Sequence, residues 1–173
     1  DLNDVQVVLT VMSVDQVNDP SICAIIGASA AVTVSSIPFY GPVGAVRVGY
    51  INGEIVINPT LPEMAHSKLD LMLAGTSDAV LMVEAGAQEL SEDEMLRAIE
   101  AGHAAFQPII EMQNKLREQV GKPKREVPNS APDPQLVADL KDFLGGRLEA
   151  EIFNPDKATR EDSTRVLRKE AVA

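Results

Sequence analysis

Apolar and polar positions change rhythm several times along the chain, and each change predicts an element. Residues 4–14 (DVQVVLTVMSV) are β-branched and apolar with little alternation, the pattern of a strand buried on both faces. Asn18-Asp19-Pro20-Ser21 is a turn with helix-start chemistry, because Asp19 can cap and Pro20 suits the first helical position. Residues 21–36 are apolar nearly all round and rich in small side chains (Gly27, Ala28, Ser29, Ala30, Ala31). That length and composition predict a helix lying inside the domain, close against a sheet. Ile37-Pro38 ends it, and Gly41-Pro42-Val43-Gly44 reads as a tight loop.

Two short apolar runs, residues 45–51 and 54–58, flank Asn52-Gly53, a strong hairpin signal. Leu69, Leu71 and Leu73 alternate with Asp70, Met72 and Ala74, so 69–75 is a strand with two unlike faces. Residues 79–84 follow as another, giving an expected sheet of four strands in meander order with the buried helix before it. Ser91-Glu92-Asp93-Glu94 has the form of a capping box, with three carboxylates at the positive end of the helix dipole. The helix carries Met95, Ile99, Phe106, Ile109, Ile110 and Leu116 at helical spacing, with a bend expected at Pro108, and ends at Gly121. Residues 122–134 (KPKREVPNSAPDP) form a Pro-rich charged linker. Residues 135–151 and 160–173 read as two amphipathic helices separated at Asn154-Pro155.

Composition sharpens this picture in three places. Hydrophobic residues make up 45% of the 173, enough for a core, yet aromatics are only 3%, so Val, Ile, Leu, Met and Ala must fill it. The net charge of −11 is uneven: residues 1–90 hold ten acidic side chains and only two basic ones, Arg47 and Lys68. A nucleic-acid surface needs clustered Lys and Arg, so any RNA contacts are expected mainly elsewhere. One cysteine, Cys23, makes no internal disulfide and no metal cluster, and no apolar run reaches the roughly 18 residues of a membrane span. Cytosol is the expected compartment and no membrane partner is expected. The chain starts at Asp1 and ends within a helical pattern, and both ends read as cuts through structure.

Few side chains promise chemistry. His66 in its loop and His103 in its helix each lack a second ligand nearby, and read as surface and packing residues. Cys23 reads as a small hydrophobe and the six methionines as core filler. Gly27-Ala28-Ser29 and Gly41-Pro42-Val43-Gly44 complete no phosphate-loop pattern. Asp70 is the one position to weigh: opposite its leucine neighbours, it is either solvated or lines a groove. An isolated acid there is more often structural, since acid/base or metal work needs convergent partners.

Several segments in order resemble polynucleotide phosphorylase: Ala24-Ile25-Ile26-Gly27-Ala28-Ser29-Ala30-Ala31 through Ile37-Pro38-Phe39, then residues 41–51 (GPVGAVRVGYI), Asn58-Pro59-Thr60, Ser67-Lys68-Leu69-Asp70-Leu71 through Leu73-Ala74-Gly75-Thr76, Val80-Leu81-Met82-Val83-Glu84, Leu90-Ser91-Glu92 and Gly102-His103. The likeness covers residues 3–126. It implies an α/β (α+β) fold: residues 1–121 as the later half of a first RNase PH-like domain, 122–134 as linker, and 135–173 as the truncated start of an all-helical domain. It further implies a parent that joins two RNase PH-like domains through that helical domain and adds KH and OB-fold modules. Such a parent is a homotrimeric ring that degrades RNA from the 3′ end with phosphate as co-substrate, releases nucleoside diphosphates, and works with RNA-degrading complex partners.

The resemblance places the family's active site chiefly in the second domain, where a strand ending in Ala-Gly-Thr carries Asp, five residues, Asp, one residue, Lys. There the carboxylates hold Mg²⁺ and the ammonium faces phosphate charge. Aligned on Ala74-Gly75-Thr76, this chain has Met64, Asp70 and Met72 in those places, so no catalytic, cofactor-binding or metal residue is expected and Asp70 stands as a relic. A serine cluster that cradles phosphate in the active domain corresponds here to Asp19-Pro20-Ser21, where a carboxylate and an amide-less proline would repel an anion. The RNA-gripping arginines of the first domain would lie upstream of Asp1. Two other readings are a single-domain RNase PH enzyme, against which the lost charges speak, and an inactive RNase PH-like ring subunit that serves as a structural RNA-channel scaffold.

Overall fold

The computed structural model describes residues 4–127 and 131–172. Part of the expected linker (128–130) and Ala173, the last residue of the expected 160–173 helix, lie outside the described residues. The described chain divides into two units, residues 4–127 and 131–172.

In the first unit the helix start at Asp19 is realised: the Asp19 carboxylate accepts from Ser21 N–H at 2.8 Å, Pro20 takes the first helical position, and α1 runs Pro20–Val34. Strand β1 (Gly44–Ile51) turns into β2 (Glu54–Ile57) over Asn52 and Gly53, both with positive φ (52° and 86°), as the twist of a two-residue hairpin demands. A one-turn helix, α2 (Leu61–Met64), precedes β3 (Leu69–Gly75) and β4 (Val80–Ala87). The long helix α3 (Glu92–Val120) begins at the expected capping box: Ser91 Oγ accepts from Glu94 N–H, and the Glu94 carboxylate accepts from Ser91 N–H at 3.0 Å. It runs unbroken through Pro108, which lies on the solvent side, where the carbonyl four residues back, on exposed Ala104, can be hydrated.

All strand pairings are antiparallel, as the α/β (α+β) expectation requires, but the order is β2-β1-β3-β4 and not a meander. The hairpin leaves one edge of β1 free. The segment through α2 returns across the sheet end, and Lys68 N–H donates to Tyr50 O at 2.8 Å to start β3 on that edge. The pairing Val46↔Leu73 and Val48↔Leu71 then makes one continuous apolar surface, which a β3 placed beyond the four-residue β2 would not.

That surface meets α3. Val46, Val48, Leu69, Leu71, Leu73, Ala98, Phe106 and Ile110 form the main core. Gly102 marks the closest approach: a β-carbon there would lie 2.8 Å from Leu73 Cδ2 and 3.0 Å from Val48 Cγ2. The opposite sheet face carries Ala45 and Ala74 under Ile22 of α1. Helix α1 is less enclosed than its composition predicts, with Ile22, Ser29 and Thr33 buried but Cys23, Gly27 and Ala31 facing out.

Residues 4–14 overturn the expected strand. They join no ladder among the described residues, and their side chains are exposed, Val8 to 75% and Met12 to 93%. Strand propensity is only completed by a neighbour that supplies hydrogen bonds and a face to bury, and no described strand does so. The methionines divide: Met72, Met82 and Met95 are half-buried and pack against the core, as read, whereas Met12 and Met112 are exposed.

In the second unit, the helix expected over 135–151 is two, α4 (Pro134–Leu144) and α5 (Arg147–Ile152). Gly145, at φ +48°, ends the first, a conformation L side chains avoid. Helix α6 (Lys157–Val172) starts earlier than read, because Asp156 accepts from Thr159 N–H at 2.8 Å and so caps it. Arg147 stacks over the Phe143 ring (5.4 Å) and pairs with Glu170 at 2.5 Å. No described helix is long and apolar enough to cross a membrane.

Candidate functional site: a self-paired carboxylate cluster

Three charged side chains meet on the α1 face of the sheet. Alternation puts Arg47 of β1 and Asp70 of β3 on that face, and the register Arg47↔Met72, Gly49↔Asp70 makes them diagonal neighbours. The guanidinium grips Asp70 through two bonds, Nε to Oδ1 at 2.7 Å and Nη2 to Oδ2 at 2.6 Å. Its remaining Nη1 donates to Asp19 Oδ2, reaching the N-cap of α1. Asn58 fixes the strand beneath: its side-chain Oδ1 accepts from Arg47 N–H at 2.9 Å, and its own N–H donates to Arg47 O.

Each group is committed. Arg47 has a side chain only 16% exposed, and its charge is held more firmly than an ordinary arginine's, first by the Asp70 hydrogen bonds and then by attraction to both carboxylates. Asp19 is held below the ordinary carboxylate range, chiefly by the Ser21 N–H, with Arg47 adding to it. The positive end of α1 and the one guanidinium nearby, which together could receive an anion, are thus both occupied by Asp19.

The positions expected to carry lost catalytic charges do gather here. Asp70 and Met72 share the α1 face, Met72 packs against Ile22, Ala45 and Ala74, and half-buried Met64 lies beside Gly49, the register partner of Asp70. They do not fit a divalent cation such as Mg²⁺. A hard ion wants several free oxygen ligands, whereas two of these side chains are thioethers and the carboxylates are bound to Arg47. Among the described residues no group of three or more His, Cys, Asp and Glu could hold a metal.

Arg47 is the residue that reading the sequence for acids passed over. Its signal was there: one of two bases in the first 90 residues, set between Val46 and Val48 in an apolar strand. The remaining candidates are placed plainly. His66 is exposed, and His103 stands half-buried and edge-on to Phe106, 5.0 Å between ring centres. Cys23 is exposed, not packed, because the neighbouring turn of α1 turns Ile22 to the sheet instead. Ser29 Oγ accepts from Val43 N–H at 2.8 Å, so Gly27-Ala28-Ser29, a turn of α1, is tied to the loop at 41–44. An open concavity of about 710 Å³ at the start of α3 is lined by Ser91, Asp93, Glu94, Leu96, Arg97 and Glu100, three carboxylates to one guanidinium, the wrong sign for a polyanion.

Sheet order and flanking helices give the first unit an RNase PH-like fold. Residues 41–105 match the family model described as 3′ exoribonuclease family, domain 2. Rice (Oryza sativa) Rrp46 shares the fold, with a TM-score of 0.51 and 22% identity over 56% of this chain and 47% of that one. The resemblance to polynucleotide phosphorylase is borne out: over 171 residues, 99% of the chain, it is 52% identical to the polyribonucleotide nucleotidyltransferase of Roseiflexus sp. (strain RS-1). The enzyme of that name from Thermomicrobium roseum is 48% identical over the same length. The chain spans about a quarter of these relatives, 23% and 22% respectively.

Proposed function

We propose that this chain is the non-catalytic scaffold segment of a phosphate-dependent 3′–5′ exoribonuclease, which converts RNA and phosphate to nucleoside diphosphates. Arg47 bridging Asp19 and Asp70 is the observation that carries this reading. The cluster's charges are bound to each other where catalysis would need free carboxylates for a metal and free positive charge for phosphate. Similarity near one-half to polyribonucleotide nucleotidyltransferases over nearly the whole chain supports the class of the parent.

On this reading, residues 1–121 supply part of a first RNase PH-like domain, 122–134 a linker, and 135–173 the opening of a helical domain. The parent is a cytoplasmic homotrimer whose RNA contacts, Mg²⁺ site and phosphate site lie outside this chain. The test is phosphorolysis of poly(A) with phosphate and Mg²⁺. The expected result is no nucleoside diphosphate release by this chain alone, and unchanged kcat in the full-length parent carrying Asp70→Asn. Clear turnover by the chain alone, or loss of kcat with intact assembly in that variant, overturns the proposal.

A further inference from the structure

Helix α1 has no basic residue in its last turn to meet its own unpaired carbonyls. A cation arrives from beyond α3. Lys124 Nζ donates to Val32 O at 2.9 Å, Thr33 O at 3.0 Å and Ser35 O at 2.9 Å, which uses all three ammonium donors. The backbone on either side joins in: Lys122 N–H donates to Val34 O at 2.9 Å and Arg125 N–H to Ser36 O at 2.8 Å. Pro123 between them fixes its own φ and keeps Lys122 extended, which suits a strand-like strap. Helix α1 therefore has a remote cation at each end, Arg47 on its N-cap carboxylate and Lys124 on its last carbonyls. Burial, and then the like charge of Arg117, hold the Lys124 ammonium below the ordinary lysine value.

We propose that Lys124 is a positioning residue that straps residues 122–125 onto the C-terminal end of α1, so that the folded unit continues past Gly121, the C-cap of α3, into the first residues of the expected linker. Composition alone marks this stretch as solvated linker, yet its polar groups are spent on a helix 89 to 92 residues away in the chain. The strap gives the scaffold segment proposed above a fixed exit point for whatever follows. Its test reads the strap itself and not phosphorolysis, so the two proposals fail separately.

The experiment is residue-resolved hydrogen exchange on the full-length protein containing this chain, as wild type, Lys124→Met and Lys124→Arg. In the wild type the amides of Lys122 and Arg125 exchange far more slowly than those of an unstructured peptide. Lys124→Met speeds both by about tenfold or more, the effect of losing charge-assisted hydrogen bonds, while the core amides of Leu71 and Leu73 keep their rates. Lys124→Arg retains most of the protection, since a guanidinium can also cap carbonyls. Unprotected Lys122 and Arg125 amides in the wild type overturn the proposal. So does a Lys124→Met variant that matches wild type or speeds Leu71 and Leu73 equally.

Discussion

The two faces of the sheet are held by different physics. On the α3 side, Val46, Val48, Leu71, Leu73 and Phe106 meet in one apolar cluster, and Gly102 lets the helix backbone come close. On the α1 side the contact is thin, Ile22 over Ala45 and Ala74, and the helix is tied at its ends by Arg47 and Lys124. Dispersion and water release fix the first face mainly by shape. Directed bonds between charges fix the second, and such groups could equally serve a ligand if they were free. In this chain they serve each other.

The comparison is broken most severely from the dry face. Phe106→Ala removes the largest fully buried side chain, and is expected to cost about 3–5 kcal/mol by denaturant unfolding. If it costs under about 1 kcal/mol, the α3 face is not the main core. Arg47→Met is next. It leaves Asp19 and Asp70 without their partner, but their side chains are 25% and 49% exposed, so solvent offsets much of the loss. The expected cost is about 1–2 kcal/mol. Removing both charges in Arg47→Met/Asp70→Leu should recover part of it, and a double variant worse than the sum would refute mutual pairing.

The smallest effect is a pH dependence at the start of α3. Tyr50 O–H donates to Glu94 Oε1 at 2.6 Å, and this bond, with those from Ser91, holds the Glu94 carboxyl down to about 2. Its ordinary value in the unfolded chain is higher, 4.5. The stabilisation is therefore fully present above that value and is lost as pH falls toward 2. Thermal unfolding followed across that window should show a decline that Glu94→Gln flattens; equal slopes for the two proteins would count against the bond.

How much could be read in advance depends on how far apart the partners are. Asp19 as a cap, Ser91 and Glu94 as a capping box, and Asn52-Gly53 as a hairpin turn involve residues at most three apart, and all appear as read. Asp70 was correctly placed opposite the leucines by alternation, but Arg47, 23 positions away, is its partner only because β3 pairs with β1. Gly145 shows the local rule missed: a glycine pair inside an apolar period was read through as continuous helix, and it ends α4.

The amino-acid order by itself determined where α1 and α3 begin, where β1 turns into β2, and which side of β3 is apolar, because caps, turns and periodicity act over one turn of chain. Only the tertiary structure decided that β3 crosses to the far edge of β1, that residues 4–14 pair with no described strand, and that Arg47 and Lys124 close the two ends of α1. The physical reason is that a charge or a strand edge has no preferred partner until packing brings one within hydrogen-bonding distance, and that proximity is a property of the whole fold.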